Sequence, residues 1–105
     1  MEVKFRIANR EDIKKIIELC NESFEELTNL EYAYKIFDET MNDPNQIYVI
    51  GTVDDEVIAH LKITIIPTIY EKMNTYAILN HVCVKSEYRR HNIATKMLDY
   101  ATEVC

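Results

Sequence analysis

The chain has 105 residues, 48% of them hydrophobic, and a net charge of −6, which bounds it to one domain with a modest core. The acidic balance argues against a nucleic-acid partner, because such binders ordinarily present a basic face. Cys20, Cys83 and Cys105 are odd in number and far apart, with no Cys-x-x-Cys pair and no signal peptide. Neither a disulfide framework nor a zinc site is therefore expected, and a cytoplasmic setting is the default.

Taken in chain order, Val3 to Ala8 alternates and predicts a strand. Asn9 reads as a helix N-cap, with Glu11 and Asp12 placed to favour the positive helix end. Ile13, Ile16, Ile17, Leu19 and Cys20 form a helical apolar stripe running to about Phe24 or Leu27. A second helix is expected from Leu30 to Met41, ended by the turn residues of Asn42 to Asn45. Ile47 to Val53 and Glu56 to Pro67 read as two strands joined by a hairpin turn at Asp54 and Asp55. After a loop from Thr68 to Asn74 comes a last strand, Thr75 to Val84. It is apolar on both faces, as a strand buried in mid-sheet would be. Ile93, Ala94, Met97, Leu98, Ala101 and Val104 then share one helical face. No apolar run is long enough to span a membrane.

The junction into that last helix reads YRRHNIATKML, Tyr88 to Leu98. The first N–H groups of a helix lack intrahelical partners, and with the helix dipole they make an anion site. Arg89 and Arg90 stand where guanidinium groups can clamp a phosphate. Gly51 is the only glycine, so an asparagine is expected to replace one somewhere important, and Asn92 sits where tight geometry would be needed. Ala94 is small enough for close backbone approach. On the residues alone, a solvated helix end stays open as the alternative. Neither a Walker loop nor a dinucleotide fingerprint is present.

The run VCVKSEYRRHNIATKML resembles the acetyl-CoA motif of the GCN5-related N-acetyltransferases. That pattern, Gln/Arg-x-x-Gly-x-Gly/Ala after a strand ending Val-x-Val, reads here Arg89-Arg90-His91-Asn92-Ile93-Ala94. Arg6-Ile7-Ala8, Asp12 and Ile16 resemble the family's first strand and helix. The resemblance implies an α/β fold with a mixed, mostly antiparallel sheet in the order β-α-α-β-β-β-α, as a single domain over residues 1–105. It also implies elements beyond this chain's last helix, so the expectation is a C-terminally truncated version of the fold. Asn92 departs from the family's usual glycine.

By the same resemblance, acetyl-CoA is the cosubstrate, held by Val82, Cys83 and Val84 on the strand and by Arg89, Arg90, His91, Asn92, Ile93, Ala94 and Thr95 at the turn. The acceptor is a primary amine, on a small molecule such as a simple amine or amino sugar or on a peptide or protein, and it must be neutral to attack. At pH 7 deprotonating a lysine-like amine costs roughly 4–5 kcal/mol, and an α-amino group about 1. A backbone N–H near Val82 or Cys83 would hold the oxyanion. Asn80 cannot be a base but can orient a water. His81 has a suitable intrinsic pKa, set against a plainer reading as a core or capping histidine. Cys83 lacks the partners of a nucleophile, and His60 and His91 show no metal-ligand spacing. Tyr70, Glu71 and the acidic set Glu22, Glu25, Glu26 and Glu31 would lie toward the acceptor, although such a charge run more often marks a solvated face. The runner-up is a non-catalytic module of the same fold that binds coenzyme A or a partner, possibly as a homodimer through an open sheet edge. A small DNA-binding protein is disfavoured by the charge.

Overall fold

The computed structural model describes residues 2–105. Strand β1 (Lys4–Ile7) leads into a 3-10 turn at Arg10–Asp12, and helix α1 (Ile13–Phe24) follows directly. Asn9 and Asp12 cap this start reciprocally. The Glu11 N–H donates to Asn9 Oδ1 at 3.1 Å, and the Asn9 N–H donates to Asp12 Oδ2 at 2.8 Å. Asp12 also takes both guanidinium nitrogens of Arg6, at 2.7 and 2.9 Å. This bidentate pair ties the end of β1 to the start of α1. Burial raises the Asp12 carboxyl, but the Arg6 hydrogen bond, the Asn9 N–H and the Arg6 charge outweigh it and hold the group below its ordinary value.

Glu25 stops α1 in the left-handed conformation, at φ 53°. Helix α2 (Leu30–Thr40) is capped by Asn29, whose Oδ1 accepts the Tyr32 N–H at 3.1 Å. Strands β2 (Gln46–Val53) and β3 (Glu56–Pro67) form the expected hairpin. Its two turn residues, Asp54 and Asp55, have φ of 49° and 65°, the sign a tight hairpin turn of this twist requires. A 3-10 turn at Glu71–Met73 precedes β4 (Thr75–Val84), and a second, at Ser86–Tyr88, precedes α3 (Ile93–Val104).

The sheet order is β1-β2-β3-β4, and every neighbouring pair is antiparallel. Because side chains alternate along a strand, β2 sends Val49 to one face and Ile50 to the other. On the Val49 face, Leu61, Ile63 and Val84 meet Ile93, Met97 and Ala101 of α3. On the Ile50 face, Cys83 meets Ile13, Ile16, Leu19 and Cys20 of α1 and Phe37 of α2. Each fully buried aliphatic side chain contributes roughly 1.5–3 kcal/mol. Gly51 lies opposite Phe5 on β1 and Ala59 on β3. A Cβ built there would lie 2.9 Å from the Phe5 ring and 3.2 Å from the Ala59 Cβ, so the missing side chain makes room for the ring.

One expectation fails. β4 is not a mid-sheet strand but the sheet's edge, paired with β3 alone among the described residues. Thr75 to Val82 are exposed, and only Cys83 and Val84 are buried. A continuous apolar run reports apolar surface, not what covers it. Here Tyr76, Ile78, Leu79 and Val82 stand open to solvent.

Candidate functional site

At the C-terminal end of β4 the chain turns through Ser86–Tyr88, with Tyr88 packed against the core beneath α3. Arg89 Nε donates to the Val84 carbonyl at 3.0 Å, folding the turn back on its own strand. Arg90 and Asn92 then take left-handed conformations, at φ 73° and 58°. Asn92 thus occupies backbone space that glycine would ordinarily fill, as the scarcity of glycine suggested. Its side chain makes no capping bond.

The first bond of α3 runs from the Lys96 N–H to the Asn92 carbonyl at 3.1 Å. The N–H groups of Ile93, Ala94 and Thr95 therefore have no intrahelical acceptor and converge at the positive end of the helix dipole. They open into a concavity of about 250 Å³ lined by Val84, Tyr88, Arg89, Arg90, Asn92, Ile93, Ala94 and Thr95. Seven of the sequence-predicted cofactor residues, all but Val82, Cys83 and His91, meet here. His91 is exposed and does not line the concavity. Converging amides, two guanidinium groups and a small side chain at Ala94 suit an anionic pyrophosphate.

Upstream, β4 carries a bulge. His60 pairs with Cys83 and Lys62 with Asn80, so the single residue Leu61 faces both His81 and Val82. His81 absorbs the extra residue at φ 52°. A left-handed conformation at a non-glycine residue costs of order 1–3 kcal/mol, so packing must hold it. The His81 ring meets Phe24 edge-on at 5.3 Å, and its Nε2 lies 3.4 Å from Glu26 Oε1. The side chain is 49% exposed, so His81 is not a core histidine. Asn80 faces Lys62 across the ladder. Val82 is exposed on the strand, whereas Cys83 is buried.

Cys83 shares its buried position with Cys20, whose thiol donates toward it. That bond lowers the Cys83 thiol and, from the other side, raises Cys20. His60 is also buried, with Nδ1 2.9 Å from the Val49 carbonyl. Burial, helped by the charges of His81 and Lys62, pushes its pKa down to about 4, so it is neutral at pH 7.

A second concavity, of about 210 Å³, opens between α1, α2 and the sheet. Ile13, Ile16, Ile17, Ile36 and Phe37 supply apolar walls, and Glu26, Tyr32, Tyr48, Lys62 and His81 supply polar groups. Of the acidic set singled out in the sequence, only Glu26 lines it. Lys62 and Tyr48 carried no sequence signal, because their place depends on the register of β2 against β3. Lys62 Nζ donates to Gln46 Oε1 at 2.8 Å and lies 5.2 Å above the Tyr48 ring. Among the described residues no cluster of three or more His, Cys, Asp or Glu side chains is arranged to hold a metal, and no helix is long and apolar enough to cross a membrane.

Comparison with known proteins bears on this geometry. The profile of the Acetyltransferase (GNAT) family matches residues 13–105. No curated protein matches the chain. Among solved structures, glucosamine-6-phosphate N-acetyltransferase from Arabidopsis thaliana superposes with a TM-score of 0.85 at 17% identity, covering 100% of this chain and 75% of that one. A predicted acetyltransferase from Clostridium acetobutylicum, solved with acetyl-CoA, gives 0.77 at 19% identity, covering 97% and 72%. An aminoglycoside acetyltransferase from an uncultured soil metagenomic sample, in complex with sisomicin, gives 0.76 at 17% identity, covering 96% and 68%. At these identities the structures speak for the fold, and the profile spanning most of the sequence speaks for the family: the chain belongs to the GNAT acetyltransferases.

Proposed function

We propose that the protein binds acetyl-CoA at the turn before α3 and transfers its acetyl group to a primary amine. The observation that carries this reading is the group of free amides at Ile93, Ala94 and Thr95, set beside Arg89 and Arg90 by the left-handed residues Arg90 and Asn92. In this reading the amides and guanidinium groups hold the pyrophosphate. The open edge of β4 around Val82 to Val84 pairs with the amide groups of the pantetheine arm, as an added strand would. A backbone N–H near Val82 or Cys83 faces the thioester carbonyl and stabilises the oxyanion as the amine attacks.

The attacking amine must first lose a proton. In this reading His81 takes it through Nδ1, and the Glu26 carboxylate, 3.4 Å from Nε2, favours the proton on that other nitrogen. Asn80 orients a water on the same strand. The amine nitrogen then bonds to the acetyl carbon, the carbon–sulfur bond breaks, and the departing thiolate takes up the proton that the nitrogen sheds as the amide forms, leaving as coenzyme A.

Calorimetric titration of the chain with acetyl-CoA, with desulfo-CoA and inorganic phosphate as controls, tests the binding half. Micromolar affinity for acetyl-CoA is expected, and its absence from a folded sample overturns the assignment. A second reading is favoured by one observation, the apolar outer edge of β4 at Tyr76, Ile78, Leu79 and Val82. In that reading two copies pair along this edge. Light scattering would then give twice the monomer mass, and a monomer at high concentration rules it out.

A further inference from the structure

We propose that the cleft between α1, α2 and the sheet selects a small apolar monoamine, one ammonium group on an aliphatic or aryl body, as the acceptor. The inference deepens the acetyl-transfer reading and rests on it for the chemistry, though not for the binding.

Size comes first. The cleft measures about 210 Å³, below the roughly 300–1,000 Å³ typical of pockets that enclose drug-sized ligands. A multi-ring amino sugar would stand largely outside it. Wall chemistry comes second. Ile13, Ile16, Ile17, Ile36 and Phe37 offer no hydrogen-bonding side chains, so sugar hydroxyls placed against them would lose their water partners without replacement. An alkyl or aryl body gains from the same surface.

Charge comes third. Among the described residues Glu26 is the only carboxylate lining the cleft, so it matches one ammonium and not several. A phosphate-bearing acceptor would need cationic clamps, but among the described residues no arginine lines the cleft. Its one lysine, Lys62, keeps its charge but is turned toward Gln46 Oε1 and the Tyr48 ring, so one cation and no clamp faces the cleft. The single carboxylate also stands beside His81, so the ammonium that Glu26 attracts arrives next to the imidazole that takes its proton. Recognition and deprotonation thus occur at one end of the cleft, with the apolar body at the other.

The test titrates the isotope-labelled chain, followed by methyl NMR, with benzylamine and hexylamine and in parallel with sisomicin and glucosamine 6-phosphate. Acetyl-CoA affinity is measured separately by calorimetry. The two apolar amines are expected to shift the methyls of Ile13, Ile16 and Ile36, while the other two compounds leave them in place. Glu26→Gln should weaken benzylamine at least about fivefold while acetyl-CoA affinity stays within twofold. Tighter binding of sisomicin or glucosamine 6-phosphate to these methyls overturns the proposal, as does benzylamine binding that Glu26→Gln leaves intact. Benzylamine in the cleft without any acetyl-CoA binding supports the cleft assignment and overturns the acetyl-transfer reading. Acetyl-CoA binding with the apolar amines absent from the cleft does the reverse.

Discussion

Glu26, one residue past the left-handed stop of α1, sets its carboxylate 3.4 Å from Nε2 of His81 in the bulge of β4. Helix end and edge strand thereby meet at a close carboxylate–imidazole pair. Two departures from regular geometry place it: Glu25 ends the helix at φ 53°, and His81 leaves the strand's alternation at φ 52°.

Replacing His81 tests the role given to it. His81→Asn keeps a residue that tolerates the left-handed conformation but removes the basic nitrogen. Acetyl transfer to benzylamine is expected to fall about 10²–10⁴-fold, while acetyl-CoA affinity by calorimetry stays within twofold. Unchanged turnover would remove His81 from the chemistry.

Charge reversal tests the turn. Charge-assisted hydrogen bonds are worth about 1.5–3 kcal/mol each, and every 1.4 kcal/mol is tenfold in affinity. Arg89→Glu combined with Arg90→Glu should therefore weaken acetyl-CoA at least tenfold, with the circular dichroism spectrum unchanged. Asn92→Gly should preserve or tighten binding, since φ 58° suits glycine better. A large loss in Asn92→Gly would assign the amide side chain a contact of its own.

His60 predicts an acid-sensitive window. Its folded pKa of about 4 lies below the ordinary 6.5. Above pH 6.5 neither state binds the proton, and the full stability is present. As pH falls from 6.5 toward 4 the unfolded chain takes up a proton that the folded chain refuses, so stability is lost across that interval, by about 3 kcal/mol. Urea unfolding at pH 7.5, 6, 5 and 4 should trace this decline, and His60→Gln should flatten it. Asp12 acts lower down. With its folded pKa depressed, the stability it contributes is present above the unfolded carboxylate value and goes as pH falls through the folded one.

Gly51→Ala should destabilise the sheet by about 1–3 kcal/mol through overpacking, because the added methyl would meet the Phe5 ring at 2.9 Å. Thermal denaturation measures this. Phe5→Leu in the same chain should recover part of the loss, since the crowding ring is then gone.

Much of this architecture could be read from residue patterns. The Asp54–Asp55 turn, the bounds of β3 and β4 and the left-handed Asn92 all follow from local chemistry, and each appears where the sequence placed it. What escaped depends on partners distant in sequence. The edge position of β4 is set by sheet order, to which apolar periodicity is blind, and only the resemblance, with its open sheet edge, pointed to it. The meeting of Glu26 with His81 requires a bulge whose cause is the pairing of β4 with β3. The cleft joins Lys62 and Tyr48 from two strands to Ile13 and Phe37 from two helices, and no local signal links them.

The Asp54–Asp55 turn bears on how the chain reaches this structure. β2, β3 and β4 follow one another as a meander, so their contacts close short loops, whereas β1 must cross both helices to pair with β2. Local closure comes at lower entropic cost, which makes the β2–β3 hairpin the natural nucleus and β1 the late arrival. Yet that nucleus turns through two adjacent aspartates held at positive φ, where like charges repel and only one residue would need to be glycine for the preferred Asp-Gly pair. The chain's near-absence of glycine thus falls on the folding rate: Asp55→Gly should speed refolding in stopped-flow experiments more than it slows unfolding.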